Sequence, residues 1–559
     1  MLFSCNKSEF LFTEISGEIG LNYQYPGNDH QDVGAGVIVL DVNNDGWEDI
    51  FQAAGIFKSK LWINDKGIFK DKTKDYNLQI LDSIFVFGGT SGDFDNDGFT
   101  DLFIANLGIK AQRGDGKRPV LLKNIEGKYF EKMEIAVFPE NGNFHGCSWG
   151  DINNDGFIDL YLPNYTQNMM VKHERIGRKV YSSYHPNCMD NYLFVNKNGI
   201  LFEDMTESYG VNNIGCGLSG CFTDFDNDND MDLMLLNDFG VWTNNGNRLF
   251  KNNLEENKFE DISHQIGFYK EIYGMGIGPG EVNNDGILDY YLTNVGPNRL
   301  LQNQIDTMIN IAPKLHVQDG YINKDSVDTI NKIDSFDAIR DLSPEQGYSN
   351  NYKISTSWSG LFLDINNDEW QDLYVTKGYL EMFLNVLILD ENNVYINRKS
   401  KFDDVTNISG ANDPTSQRGA ATFDFDHDGD LDIVTGTIKM TRGEFGKTDQ
   451  KIKVFRNNNQ SGNNWIRIKL VGGDGVNRDC LGCSITLSSD GENKSIREVD
   501  GGSGHSSQSS KILHFGMGKS KYARDIEIQW LGGETQKIDK LKTNKVYRIE
   551  YNQGITILK

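Results

Sequence analysis

Short apolar runs rich in β-branched and aromatic side chains alternate along this chain with acidic, glycine-bearing turns. Runs of that length between turn residues read as β-strands. One nine-residue string punctuates them seven times: DVNNDGWED from Asp41, DFDNDGFTD from Asp93, DINNDGFID from Asp151 and DFDNDNDMD from Asp224. It continues as EVNNDGILD from Glu281, DINNDEWQD from Asp364 and DFDHDGDLD from Asp424. Successive starts are 52, 58, 73, 57, 83 and 60 residues apart, the size of a four-stranded propeller blade with variable loops.

Each string has the same surroundings. A small-residue run precedes it (GAGVIVLD, FGGTSGDFD, HGCSWGDI, RGAATFDFD) and an apolar run follows it (DLFIAN, DLYLPN, DLMLLN, DYYLTN, DLYVTK). A third run such as NYLFVN or NRLFKN comes next, then an outer element, seen as FEDMT at Phe202, FEDIS at Phe259 and FDDVT at Phe402. Four strands in seven repeats predict an all-β chain, a seven-bladed β-propeller with a small β-rich domain behind it. An outer element, FTEIS at Phe12, stands before the first string, and the seventh repeat lacks one of its own. The strand at Phe12 is therefore expected to complete the seventh blade, so that no sheet edge is left open.

Two stretches break the pattern. Residues 165–190 separate strands within the third repeat, and residues 304–350 follow the fifth. In the second, Val327, Ile330, Ile333, Phe336 and Ile339 recur every three residues and predict a short helix. Long excursions on a rigid scaffold serve binding or are tolerated decoration.

Composition fits this picture. Of 559 residues 59 are glycine, 10 are proline and 38% are hydrophobic, and no apolar run approaches the roughly 20 residues of a spanning helix. The net charge of −25 disfavours nucleic acid as a partner. Much of that acid lies in the strings. Positions 1, 3, 5 and 9 offer side-chain oxygens: Asp41, Asn43, Asp45 and Asp49; Asp93, Asp95, Asp97 and Asp101; Asp151, Asn153, Asp155 and Asp159; Asp224, Asp226, Asp228 and Asp232. The remaining sets are Glu281, Asn283, Asp285 and Asp289; Asp364, Asn366, Asp368 and Asp372; Asp424, Asp426, Asp428 and Asp432.

A hard cation such as Ca²⁺ takes six to eight oxygens, and carboxylates crowded this closely repel one another without one. Up to seven structural Ca²⁺ ions are expected; they would bring the charge from −25 to −11. The loops are not EF-hands, since strands flank them and no Glu stands at position 12. The second, fourth and seventh loops carry four carboxylates and should bind most tightly. The sixth, with Glu369 in place of glycine, should be weakest. His427 sits in the seventh loop at a position that need not ligate.

Seven cysteines are present: Cys5, Cys147, Cys188, Cys216, Cys221, Cys480 and Cys483. An odd number leaves one for another task. The opening MLFSCNKSEF resembles the end of a lipoprotein signal without its basic and long apolar parts, which makes Cys5 a lipidation candidate and residues 1–9 a lipoprotein-like remnant; the alternative is that Cys5 is an ordinary buried thiol. Disulfides among the other cysteines are plausible, with the pairing open. Cys480-Leu-Gly-Cys483 reads as a local disulfide or two plain thiols; zinc would need two further ligands.

The seven repeats resemble the FG-GAP/VCBS class of propeller repeats over residues 10–460. Residues 461–559 resemble the ASPIC/UnbV domain of the cartilage acidic protein family, on NNWIRIKLVG from Asn463, the NRD at Asn477, GGSGHSSQSS from Gly501 with LHFGMG, and IEIQW ending at Trp530. The resemblance implies an extracellular or envelope protein with a binding or matrix role and no agreed enzymatic activity. The chain shows no catalytic metal, nucleophile-elbow or phosphate-cradling motif. GGSGHSSQSS reads as a Gly/Ser-rich loop between strands rather than a nucleophile site, and Arg113-Gly114-Asp115 is too short to weigh.

Function therefore reads as a non-catalytic, calcium-stabilised envelope or secreted module that captures a glycan, peptide or protein partner. One alternative is an accessory subunit of an outer-membrane, transporter-type assembly. Another is a calcium-dependent polysaccharide-active enzyme such as a lyase. Contact with a membrane is expected only through a lipid on Cys5.

Overall fold

The computed structural model describes residues 11–23, 35–108, 118–176, 179–319, 355–378, 390–438, 452–491 and 493–558. Within them each acidic string joins the first and second strands of an antiparallel four-stranded sheet, seven sheets in all. The second sheet, for example, orders Val86–Gly92, Asp101–Asn106, Val120–Ile125 and Tyr129–Met133 side by side. Inner strands of successive sheets touch in a closed cycle. It runs from Val37–Leu40 through Val86–Gly92, Ser148–Gly150, Cys216–Thr223, Gly274–Gly280, Ser357–Leu363 and Gln417–Phe423 back to Val37–Leu40. The sheets are thus blades of a β-propeller.

Closure follows the sequence expectation. Phe12–Glu14 pairs antiparallel with Lys453–Asn457, Phe12 opposite Asn457, and supplies the outer strand of the seventh blade. Inner strands such as Val86–Gly92 are buried throughout because neighbours cover both faces. Outer strands alternate: in Ile68–Asp71 only Phe69 is buried. The acidic and hydroxyl residues after that Phe lock the strand to its neighbour. Asp71 accepts hydrogen bonds from the Thr73 hydroxyl (2.6 Å) and N–H (3.1 Å), and Thr73 Oγ1 accepts the N–H of Leu61 at 3.1 Å.

Residues 465–558 form two more four-stranded sheets. One orders Ile512–Gly516, Trp465–Val471, Val546–Glu550 and Gly554–Leu558; the other orders Ser495–Glu498, Ser484–Ser488, Tyr522–Gln529 and Gln536–Lys542. Their core residues Ile466, Ile485, Ile528 and Trp530 belong to the same buried cluster as Phe94, Trp149 and Phe222 of the propeller. The C-terminal sheets thus share one apolar cluster with the second, third and fourth blades.

The Gly/Ser-rich stretch does connect strands, but it also fills the centre of the ring. Gln508 N–H donates to Val37 O (3.0 Å), Thr90 Oγ1 to Gly501 O (2.6 Å) and Trp149 N–H to Gly501 O (2.9 Å). Ser219 Oγ donates to Gly504 O (2.9 Å), Gly504 N–H to Ile277 O (2.5 Å), His505 N–H to Ser359 Oγ (3.1 Å) and Ser510 N–H to Thr422 O (2.9 Å). One loop thereby bonds to the inner strand of every blade. Small residues are required opposite it: a Cβ on Gly36 or Gly88 would lie 2.1 or 2.3 Å from the Ser506 carbonyl oxygen.

The stretch at 165–190 is an antiparallel hairpin, Thr166–Ile176 with Lys179–Cys188, tied to the fourth blade by a Cys188–Cys216 disulfide. In the stretch at 304–350, Met308–Asn310 is the outer strand of the fifth blade rather than part of an excursion. The helix expected around Val327–Ile339 lies outside the described residues, as do Cys5 and Arg113–Asp115.

Candidate metal centres

Each string folds into the same loop because its carboxylates collect the loop's own N–H groups. At position 1, Asp93 accepts from the N–H of Asp97 (3.0 Å) and of Gly98 (2.7 Å). Position 5 accepts from the N–H of position 7, as Asp97 does from Phe99 at 3.0 Å. Position 9 bridges outward: Asp101 accepts Phe94 N–H (3.1 Å) and Asn124 N–H from the third strand (2.7 Å). Asp49, Asp159, Asp232, Asp289, Asp372 and Asp432 make the equivalent pair. Positions 4 and 6 take positive φ in every loop; glycine at position 6 suits this, whereas Glu369 holds φ 84°.

Position 3 is different. The Oδ1 atoms of Asp95, Asp226, Asp426, Asn283 and Asn366 are buried and have no hydrogen-bond donor. In the first and third loops Asn43 and Asn153 accept instead from the N–H of Asp45 (3.0 Å) and Asp155 (3.1 Å). The carboxylates at positions 1, 3 and 9 converge within 4.8 Å in the second, fourth and seventh loops. Burial pushes Asp93 and Asp151 up to about 7 and Asp289 and Asp364 up to about 8, with neighbouring carboxylates adding to it in Asp93, Asp151 and Asp364. A hard cation fits such a site: it supplies the partner the orphaned oxygens lack and holds the carboxylates ionised.

Two rings of side chains tie the loops together, and sequence reasoning assigned neither. An asparagine last or next to last in each third strand donates to the carbonyl at position 2 of the preceding loop, from Asn124 to Val42 and from Asn196 to Phe94, on to Asn457 with Ile365. The signal was visible as the final Asn of NYLFVN, NRLFKN and KVFRN. At position 4, Asn44 donates to Gly98 O (2.8 Å), Asn96 to Gly156 O (2.8 Å), Asn227 to Gly286 O (3.2 Å) and Asn284 to Glu369 O (3.1 Å) in the next loop. His427, at the corresponding place in the seventh loop, hydrogen-bonds the Gly46 backbone of the first and stacks on Trp47, ring centroids 3.9 Å apart.

The C-terminal sheets sit on this loop-bearing end. Arg467, 1% exposed, donates to Asp424 Oδ2 (2.8 Å) and Glu48 Oε2 (3.2 Å). Asp479 accepts the N–H of Asp93 (3.0 Å) and Glu498 that of Asp224 (2.9 Å), while Arg497 lies 3.6 Å from Glu281. Ser489 donates to Glu369 (2.6 Å). Arg467 and Asp479 fall in the WIRIK and NRD segments, so those family motifs are contact residues with the propeller.

Cys480 and Cys483 are buried thiols, as are Cys147 and Cys221. His505 is buried, hydrogen-bonds the Met275 carbonyl at 3.1 Å, and is lowered to about 3 by burial, with Arg418 adding to it. Among the described residues no helix is long and apolar enough to cross a membrane.

Comparison with known proteins agrees with both parts. Residues 93–162 and 364–435 match the FG-GAP-like repeat model, and residues 473–556 match the ASPIC and UnbV model. Cartilage acidic protein 1 of Xenopus tropicalis is 25% identical over 521 residues, covering 83% of this chain and 73% of the relative. The Homo sapiens protein is 23% identical over 503 residues, covering 83% and 72%. Among solved structures, the V. cholerae biofilm matrix protein Bap1 aligns over 81% of this chain and 92% of its own at 8% identity, with a TM-score of 0.36. That likeness is too distant to bear on function.

Proposed function

We propose that this FG-GAP-like repeat protein with a C-terminal ASPIC and UnbV domain is a calcium-stabilised, non-catalytic binding module of the cell surface or extracellular space. The observation that carries the calcium reading is the set of buried, donorless Oδ1 atoms at position 3 of five loops. In each loop, positions 1, 3, 5 and 9, with the backbone carbonyl of position 7, would hold the ion. The charge it supplies offsets carboxylate repulsion at the end of the ring where the C-terminal sheets dock.

The opposite end suits a protein or glycan partner. Second strands start at the acidic loops and run away from them, so the second-to-third connections emerge at the far end. The Thr166–Cys188 hairpin is one of these, and the passage from Asn310 to Ser357 leaves from the same end. A rigid ring with one end capped leaves the other for recognition. Fatty acylation of Cys5 would hold the module at a membrane surface, and intact-mass measurement of the envelope-extracted protein tests that part.

Native mass spectrometry in calcium buffer tests the metal reading: up to seven ions, removed by chelator with a fall in Tm, are expected. An ion-free protein whose Tm ignores chelator would refute it. Glycan and peptide arrays probed with the wild type and with a variant whose residues 167–187 are replaced by a short turn test the binding face. Full retention by that variant would move recognition away from the hairpin.

A further inference from the structure

The acidic loops fall into two types, and the third strand of each blade distinguishes them as well. Loops two, four and seven carry Asp95, Asp226 and Asp426 at position 3; the residues just before their ring asparagines are Lys123, Lys251 and Arg456. The other four carry Asn43, Asn153, Asn283 and Asn366, and there the corresponding residues are Ile63, Val195, Gln302 and Ile396. The match holds in seven blades of seven.

Geometry explains the pairing. Lys123 Nζ forms an ion pair with Asp95 Oδ2 and lies 3.0 Å from Asp97 Oδ2. Lys251 repeats this with Asp226 Oδ2 and, at 3.1 Å, Asp228 Oδ2. Arg456 holds the same place in the third strand of the seventh blade, one residue before the ring asparagine Asn457. The lysines engage only the Oδ2 atoms, while Oδ1 of Asp95 and Asp226 stays buried without a donor. A lysine placed this way cancels charge without taking the metal-facing oxygen.

We propose that this basic residue offsets the extra carboxylate, so that an Asp-type loop and an Asn-type loop bind calcium with similar strength. The inference rests on the reading of the loops as calcium sites. Positions 1, 5 and 9 give every loop three carboxylates; a fourth at position 3 less one cation again leaves three. Loops four and seven add Asp230 and Asp430 at position 7. Loop seven meets a second cation in Arg467; among the described residues loop four has no such counterpart and should be the tightest site. Counting carboxylates alone, as the sequence invites, overstates the spread between the loops.

Loop two gives the cleanest test, with the full chain and Ca²⁺ as the only probe. Calcium bound per chain is counted by native mass spectrometry against free calcium for D95N, K123Q and the double variant, with Tm followed in parallel. D95N should weaken one site roughly tenfold or more, and K123Q should tighten one by a similar factor. The double variant, now an Asn-type loop, should return to within about twofold of wild type. A double variant as weak as D95N, or a K123Q protein that binds calcium more weakly, would overturn the proposal while leaving the calcium reading intact. Wild type that takes up no calcium would overturn both. Tm values in chelator separate either result from simple misfolding, since K123Q should there be the less stable protein.

Discussion

The side-chain amide of Asn64 in the first blade donates a 2.9 Å hydrogen bond to the carbonyl of Phe425 in the seventh, 361 residues later. Asn64 also donates to Glu48 O (3.2 Å) and accepts the N–H of Gly67 (2.7 Å). It is buried, so removing it strands three backbone groups. N64A should lose ~2–4 kcal/mol, read as a lower Tm in saturating calcium. A surface control such as K66A should not move.

Arg467 is a buried cation bridging Asp424 and Glu48. Truncating it takes the guanidinium away from two buried carboxylates, Asp424 and Glu48. R467A should cost ~3–5 kcal/mol and loosen the C-terminal sheets before the propeller melts. Limited proteolysis in the 458–464 connection, compared with wild type, checks the order of events.

The central loop leaves no room opposite Gly36. G36V should push against the Ser506 carbonyl and undock the 501–510 loop. Faster amide exchange confined to that loop and to the inner strands is the expected signature. Unchanged exchange would mean that the Gly36 contact does not hold the loop in place.

Histidine burial sets an acid dependence. His505 is held neutral in the folded chain, down to about 3, whereas an unfolded histidine takes a proton below about 6.5. The unfolded state therefore binds more protons as pH falls, and this contribution to stability is intact above pH 6.5 and lost steadily towards pH 3. His514 adds a second such group, lowered to about 3 by burial, with Arg467 adding to it. H505N should reduce the acid slope of unfolding free energy by up to about 1.4 kcal/mol per pH unit.

Glu369 distinguishes the sixth loop by backbone as well as by charge. Its φ of 84° strains a residue with a Cβ, and its carboxylate is engaged by Ser489. At limiting calcium the sixth loop should be the last to fill. E369G should raise its occupancy towards that of loop two while giving up the Ser489 contact, which calcium counting and chelator-dependent Tm measure separately.

The sequence by itself determined the repeat, the strand order within each blade and the closure through Phe12. These depend on local patterning: apolar runs, acidic turns and the tight φ of position 6 all lie within a few residues of one another. It also located the oxygens that would hold calcium, because nine consecutive residues supply most of them. What only the tertiary structure decided joins distant segments. The Asn64–Phe425 and Asn44–Gly98 bonds depend on which blades become neighbours, and the pairing of Lys123 with Asp95 on how the third strand passes the loop. Arg467 looks like one more strand residue in WIRIK, and GGSGHSSQSS like a Gly/Ser-rich loop between strands. Each becomes buried and bonded only when the C-terminal sheets settle on the ring, where close backbone approach demands small residues and desolvated charges demand partners.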